Sequence, residues 1–243
     1  MELRVEAEES QLEGKSVVLL IIQVCIRFIL SIVIWGGLLF WSAGSVLWSR
    51  GWAHLGLWIV MLAVNFFILR KKNPAVLAAR TKRQWFEKPF DLILMLFVML
   101  PAMLAFPIIS GLDAVRYKFA PLSFWTVYPA VLLHVAGDAI MLWSMAVNPY
   151  LEKTIRIQKE RGHHVITTGP YAFVRHPMYV GAIMLFVGMP LFLGSGLAFI
   201  PVGVLIIVLV IRTVFEDRML HCELPGYEEY AKKTRYRLLP GVW

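Results

Sequence analysis

Residues 169–211 read GPYAFVRHPMYVGAIMLFVGMPLFLGSGLAFIPVGVLIIVLVI. From Met178 onward the stretch is apolar except where Gly194-Ser195-Gly196 interrupts it, so two membrane-crossing helices, 178–193 and 197–211, joined by a tight turn are expected. Pro190 and Pro201 are tolerable near that turn because neighbouring helices can re-satisfy the freed carbonyls. Just before the apolar run stand three aromatic rings, Tyr171, Phe173 and Tyr179, with Arg175 and His176 among them. Groups able to hold a charged ligand therefore sit where a polar loop meets the membrane.

The whole chain of 243 residues is 59% hydrophobic and only 16% charged, with a mean hydropathy of +0.68. An all-α integral membrane protein follows, because a helix of about 20 residues crosses the hydrocarbon while satisfying its own backbone. Four further spans are expected at 17–40, 52–69, 90–110 and 124–147, which makes a polytopic bundle of about six helices. The acidic segment 1–16 lacks the basic start of a signal peptide and reads as a solvated tail. Cys25 and Cys222 are the only cysteines, one inside a span and one after the last, so neither a disulfide framework nor a thiolate metal site is expected.

Lysine and arginine are strongly partitioned. Segment 70–88 holds seven, 153–175 holds five and the stretch from Arg212 onward holds six, whereas the alternate loops hold one (Arg50), two (Arg116, Lys118) and none. The positive-inside rule puts the three basic segments, and with six spans both termini, in the cytoplasm. The net charge of +8 is explained by attraction to anionic head groups, and no nucleic-acid partner is expected. Inside the spans, Gln23 with Arg27 and His134 with Asp138 are each four residues apart on one helix face. They read as a proton path or substrate contact, or more simply as hydrogen bonds between helices.

Three groups of chemistry-bearing residues fall on the same expected side: 158–166, 171–179 and 212–230. His176 lies 18 residues before Gly194 and Glu216 lies 20 after Gly196, so the two are at similar distances from the turn. Arg212 and Glu216, one turn apart, add a base and an acid to one face. Rings that stack, Arg175 or a histidine for a carboxylate, and Glu216 or Asp217 for an ammonium suit S-adenosylmethionine, whose sulfonium aromatic faces also attract. A metal centre is not expected from His163, His164 and His176, for no His-Glu-x-x-His or cysteine spacing accompanies them. No nucleophile elbow, Walker loop or Rossmann fingerprint occurs.

The ordered series Gln158, His163 to Ile166, Gly169-Pro170-Tyr171, Arg175-His176-Pro177-Met178-Tyr179, Arg212 with Glu216-Asp217, Gly226-Tyr227-Glu228-Glu229-Tyr230 and Arg237-Leu238-Leu239-Pro240 resembles the integral membrane methyltransferases typified by isoprenylcysteine carboxyl methyltransferase, with phospholipid methyltransferases as relatives. The resemblance covers about 148–243. It implies S-adenosylmethionine as cofactor and S-adenosylhomocysteine as product, held by Gln158, His163, His164, Val165, Ile166, Tyr171, His176, Pro177, Met178, Tyr179 and Glu216, with Arg212 at the position that contacts an acceptor carboxylate. It also implies that 1–147 shapes the acceptor side and 148–243 the cofactor side. A lipophilic or prenylated carboxylate entering from the membrane is the leading acceptor, a phosphatidylethanolamine-type amine the alternative; a membrane reductase or a transporter ranks lower. Where the family usually has two glutamates this chain has Glu216-Asp217, which leaves the role of Asp217 open.

Overall fold

The computed structural model describes residues 22–23, 26–81, 88–152 and 154–243. The expected tail 1–16, the start of the first span and Cys25 lie outside the described residues. Within the described residues the chain is helical, with no strand beyond an isolated antiparallel bridge between Pro121 and Ser195. Among the described residues, five helices are long and apolar enough to cross a membrane: α1 (Ile26–Ala43), α2 (Ser49–Lys72), α4 (Pro89–Tyr117), α5 (Phe124–Val147) and α7 (Phe199–Glu223). Between α2 and α4 comes the short α3 (Pro74–Thr81), and α6 (Pro177–Leu193) is a 17-residue apolar helix. At 1.5 Å per residue α6 reaches about 26 Å, close to the hydrocarbon thickness. Large apolar side chains such as Phe97, Leu132 and Ile200 point outward, as lipid-facing residues do and water-facing ones rarely would.

The expected hairpin forms, with Gly194 at φ +84 in its turn, but its arms are not each other's main partners. α6 lies chiefly along α5, and α7 packs against α4 as well as α6. The cause is a pair of facing glycines. A Cβ on Gly181 would stand 2.5 Å from the Gly137 carbonyl oxygen, and one on Gly137 would stand 2.7 Å from that of Gly181. Backbone meets backbone there, the way small residues let membrane helices approach.

The last span is also longer than its apolar run. Hydropathy ends near Ile211, yet α7 continues to Glu223 because its next polar groups are buried against protein and bonded there; Thr213 Oγ1, for instance, donates to the Leu209 carbonyl at 2.8 Å. A short final helix, α8 (Tyr227–Lys233), follows. At the other end of the bundle, Asp113 accepts from Ser195 Oγ (2.6 Å), Leu197 N (3.0 Å) and Ala120 N (2.7 Å), while Arg50 donates to the Phe192 and Leu191 carbonyls at 2.6 Å each. A carboxylate and a guanidinium thus close the exposed backbone of the turn.

Of the intramembrane pair His134 and Asp138, Asp138 takes the simpler reading of a bond between helices, while His134 bonds within its own helix. His134 Nδ1 donates to the Ala130 carbonyl at 2.8 Å, and Asp138 accepts from Asn65 Nδ2 on α2 at 2.8 Å. Gln23 and Arg27 instead lie on the outer surface, so a bundle-facing role for them is corrected. The glycine contact yields a prediction. Gly181→Ala should lower the thermal midpoint in detergent by an amount matching about 1–3 kcal/mol of overpacking, whereas Gly203→Ala, with nothing within 4 Å of its added Cβ, should not; equal midpoints for the two variants would refute the close crossing.

Candidate active site

A cleft of roughly 810 Å³, counting its open mouth, lies at the end of the bundle that carries the loop 148–176. Its walls come from 148–166, from the 171–179 segment, from α7 between Arg212 and Leu220, and from Leu224, Tyr227 and Tyr230. Ten of the expected site residues therefore share one cleft: His163, His164, Val165, Ile166, Tyr171, His176, Met178, Tyr179, Arg212 and Glu216. Gln158 and Pro177 are buried behind it.

Gln158 acts on the loop. Its Nε2 donates to the Tyr150 carbonyl at 2.6 Å, and its Oε1 accepts from Arg161. Tyr150 in turn stacks on His163 with ring centroids 4.3 Å apart and bonds His164 Nδ1 through its hydroxyl at 2.8 Å. The two histidines are thereby spread over one tyrosine. Burial, helped by the nearby His164, pushes His163 down to about 4, so it is neutral at pH 7. Pro177 opens α6, where its missing N–H costs no helix bond.

Asp217, whose role was open, organises the cleft's back wall. Its Oδ1 accepts from Arg175 Nε (2.8 Å), Tyr227 Oη (2.9 Å) and His176 Nε2 (3.2 Å), and its Oδ2 accepts from Arg175 Nη2 (3.0 Å) and Arg237 Nε (2.8 Å). Arg175 also donates Nη1 to the carbonyls of Thr234 (3.0 Å) and Arg235 (2.7 Å). Burial alone would lower its pKa, yet the bonds and charge of Asp217 hold it above the ordinary value. Arg175, expected as one candidate for a ligand carboxylate, lines the cleft with its guanidinium engaged by these internal bonds. Burial raises the Tyr227 phenol, and Asp217 beside it raises it further, so it stays protonated and donates.

The chain's last residues complete this wall: the N–H groups of Arg175 and His176 donate to the Tyr236 and Arg237 carbonyls, each at 2.9 Å. In front of it, Tyr179 Oη donates to Glu216 Oε2 at 2.5 Å, and the Tyr179 and His176 rings lie parallel with centroids 5.9 Å apart. Tyr171 is buried; Asn148 Nδ2 donates to its hydroxyl at 3.0 Å, and Tyr230 Oη donates to its carbonyl at 2.7 Å. The wall also holds the hydroxyl of Thr154, buried with no hydrogen-bond partner among the described residues. An acid, parallel rings, a neutral imidazole and an unused hydroxyl suit a ligand that is part cation, part aromatic and part polar.

Asp91, in the first turn of α4, had drawn no attention in the sequence. It is fully buried, lies with Oδ1 3.0 Å from Arg212 Nε and accepts from Arg212 Nη2 at 3.3 Å and from Ile155 N at 3.1 Å. An acid in the first turn of an apolar span, four residues before Met95, whose sulfur Arg212 Nη1 approaches to 3.2 Å, was the available signal.

The Asp217 cluster makes a direct prediction. Asp217→Asn leaves buried cations without their anion, which costs about 3–5 kcal/mol, and should markedly lower the thermal midpoint in detergent; a midpoint equal to wild type would show that the cluster does not hold this wall. Residues 125–223 match the family model described as phospholipid methyltransferase, a span that takes in α5, the cleft loop, α6 and α7. No curated protein matches the chain significantly. With its membrane helices and this cleft, the chain is thus similar over residues 125–223 to the phospholipid methyltransferases.

Proposed function

We propose that this membrane methyltransferase uses S-adenosylmethionine, taken from the cytoplasmic side into the cleft, to methylate a lipophilic acceptor that arrives from the bilayer. The observation that carries the reading is that one cleft gathers the loop 163–166, the 176–179 segment and the Arg212–Glu216 turn. Glu216 supplies the negative charge for an ammonium or sulfonium, and Tyr179 orients it through the 2.5 Å bond. The rings of Tyr171 and Tyr179 offer faces to the adenine or the sulfonium. The basic partition supports a cytoplasmic cleft, with both termini on that side. In this reading 148–243 forms the cofactor part and 1–147 the acceptor part.

When bound, the cofactor supplies a methyl carbon on a sulfonium sulfur that leaves as a neutral thioether as the acceptor's lone pair bonds the carbon. The protein's own work is to align the acceptor and to exclude water. For a carboxylate acceptor, such as an isoprenylcysteine-like lipid, no proton need move and Arg212 positions the oxygen. A second reading, transfer to a phospholipid amine, is favoured by the contact of Asp91 with Arg212. There two carboxylates, Asp91 and Glu216, flank one guanidinium, which suits a cationic head, and Glu216 is placed to take the amine proton.

Two experiments test this. Purified protein should bind S-adenosylhomocysteine, and Glu216→Gln should weaken it about 10- to 100-fold, the effect of removing a charged hydrogen bond; unchanged affinity would remove Glu216 from the site. Arg212→Lys should spare cofactor affinity and lower kcat/KM about tenfold or more, in a labelled-methyl assay against prenylated cysteines, fatty acids and phosphatidylethanolamine. Loss of cofactor affinity alone would reassign Arg212. Absence of methyl transfer to every acceptor, with flux of one of them across a vesicle membrane, would favour a transporter.

A further inference from the structure

Asp91 belongs to the N-terminal half of the chain, yet its carboxylate ends on the group expected to face the acceptor. It joins two walls of the cleft, lying 3.0 and 3.3 Å from Arg212 on α7 and accepting the Ile155 N–H from the cofactor loop at 3.1 Å. Two further contacts join the start of α4 to α7: the rings of Phe90 and Phe215, 4.5 Å apart, and, at the end of α7, the Lys88–Glu223 ion pair at 2.9 Å. Asp91 is therefore fixed on the guanidinium. It lies beside the Nε and Nη2 edge of the planar fork, hydrogen-bonded through Nη2 to Oδ2 and in ion-pair contact between Nε and Oδ1.

We infer that Asp91 selects the charge of the methyl acceptor, acting as an internal carboxylate that competes with an acceptor carboxylate for Arg212 and favours a neutral or cationic head group. The inference rests on the proposed reading of the cleft as the place of methyl transfer. Its physical basis is like-charge repulsion: a second carboxylate arriving at the same guanidinium would lie a few ångströms from Asp91 where little water screens the two. Glu216, one turn further along α7, adds to the effect. An amine meets the opposite situation, with two carboxylates to attract it. A purely structural ion pair would stabilise α4 against α7 but be indifferent to the charge of the acceptor, and this difference is measurable.

The test compares two single-chain lipids of equal length, hexadecanoate and hexadecylamine, binding to the full chain in detergent. Asp91→Asn, which keeps the shape and removes the charge, should shift the ratio of the two dissociation constants about tenfold toward the carboxylate, and Asp91→Glu should hold it within about threefold of wild type. The kcat/KM ratio for carboxylate over amine acceptors should move the same way. A ratio in Asp91→Asn within about twofold of wild type would make the pair structural only and overturn the inference. So would wild-type protein that binds neither lipid. If Asp91→Asn does not fold, Asp91→Ser is read in the same assay, and failure of both neutral variants to fold assigns Asp91 to the scaffold. Binding of S-adenosylhomocysteine to wild type is measured alongside: its absence defeats the cofactor reading, while the charge ratio of the two lipids still decides the role of Asp91.

Discussion

The site depends on one buried carboxylate. Asp217 sits on α7, but its donors come from the segment before α6 (Arg175, His176), from α8 (Tyr227) and from the last residues of the chain (Arg237). An ionised group removed from water is tolerable only when its lone pairs are met and its charge balanced. Pieces far apart in sequence must therefore converge before it can be buried. Once they do, the neighbours of the hub have little freedom: Glu216 precedes Asp217, and Tyr179 stands three residues after His176. The side chains that face the ligand are held by side chains that do not, which is what a preorganised site requires.

A second constraint is apolar and works from further away. The contact of Gly137 with Gly181 draws α6 onto α5, and α7 is left to divide its surface between α6 and α4. The packing of α7 against α4 sets the first turn of α4 beside Arg212. Asp91 meets Arg212 and Ile155 together, so the N-terminal half contributes a charged group to a site otherwise built from the C-terminal half.

What could be read from the sequence follows from the same physics. The spans were legible because a long apolar run has few alternatives to a membrane helix, and the cleft because three polar groups fell on one side of the charge partition. Pairing was not legible. Arg175 and Arg212 look alike on the page and both line the cleft, yet one is clamped by Asp217 and two carbonyls while the other pairs with Asp91. Gln158, expected among the cofactor residues, holds the Tyr150 carbonyl from behind the cleft, a bond across eight residues that no spacing rule announces. The extension of α7 past Ile211 was hidden for a related reason: hydropathy counts Arg212, Glu216 and Asp217 as ends of a span when their partners keep them inside protein.

The acceptor is the least legible element, and the cause lies in the solvent. In water, a helix face that meets protein differs in polarity from one that meets solvent, so periodicity reveals it. In lipid that contrast fades, because acyl chains are as apolar as leucine and helix contacts are marked mainly by small residues and a few polar ones. The face of α1, α2 or α4 that would line an acceptor path therefore carries the same Leu, Ile, Val and Phe as the face that meets the bilayer. Only where a charged group breaks the pattern does the lipid side become readable. Asp91 is such a break, and it bears on the head of the acceptor, the one part of a lipophilic molecule whose chemistry differs from that of its surroundings.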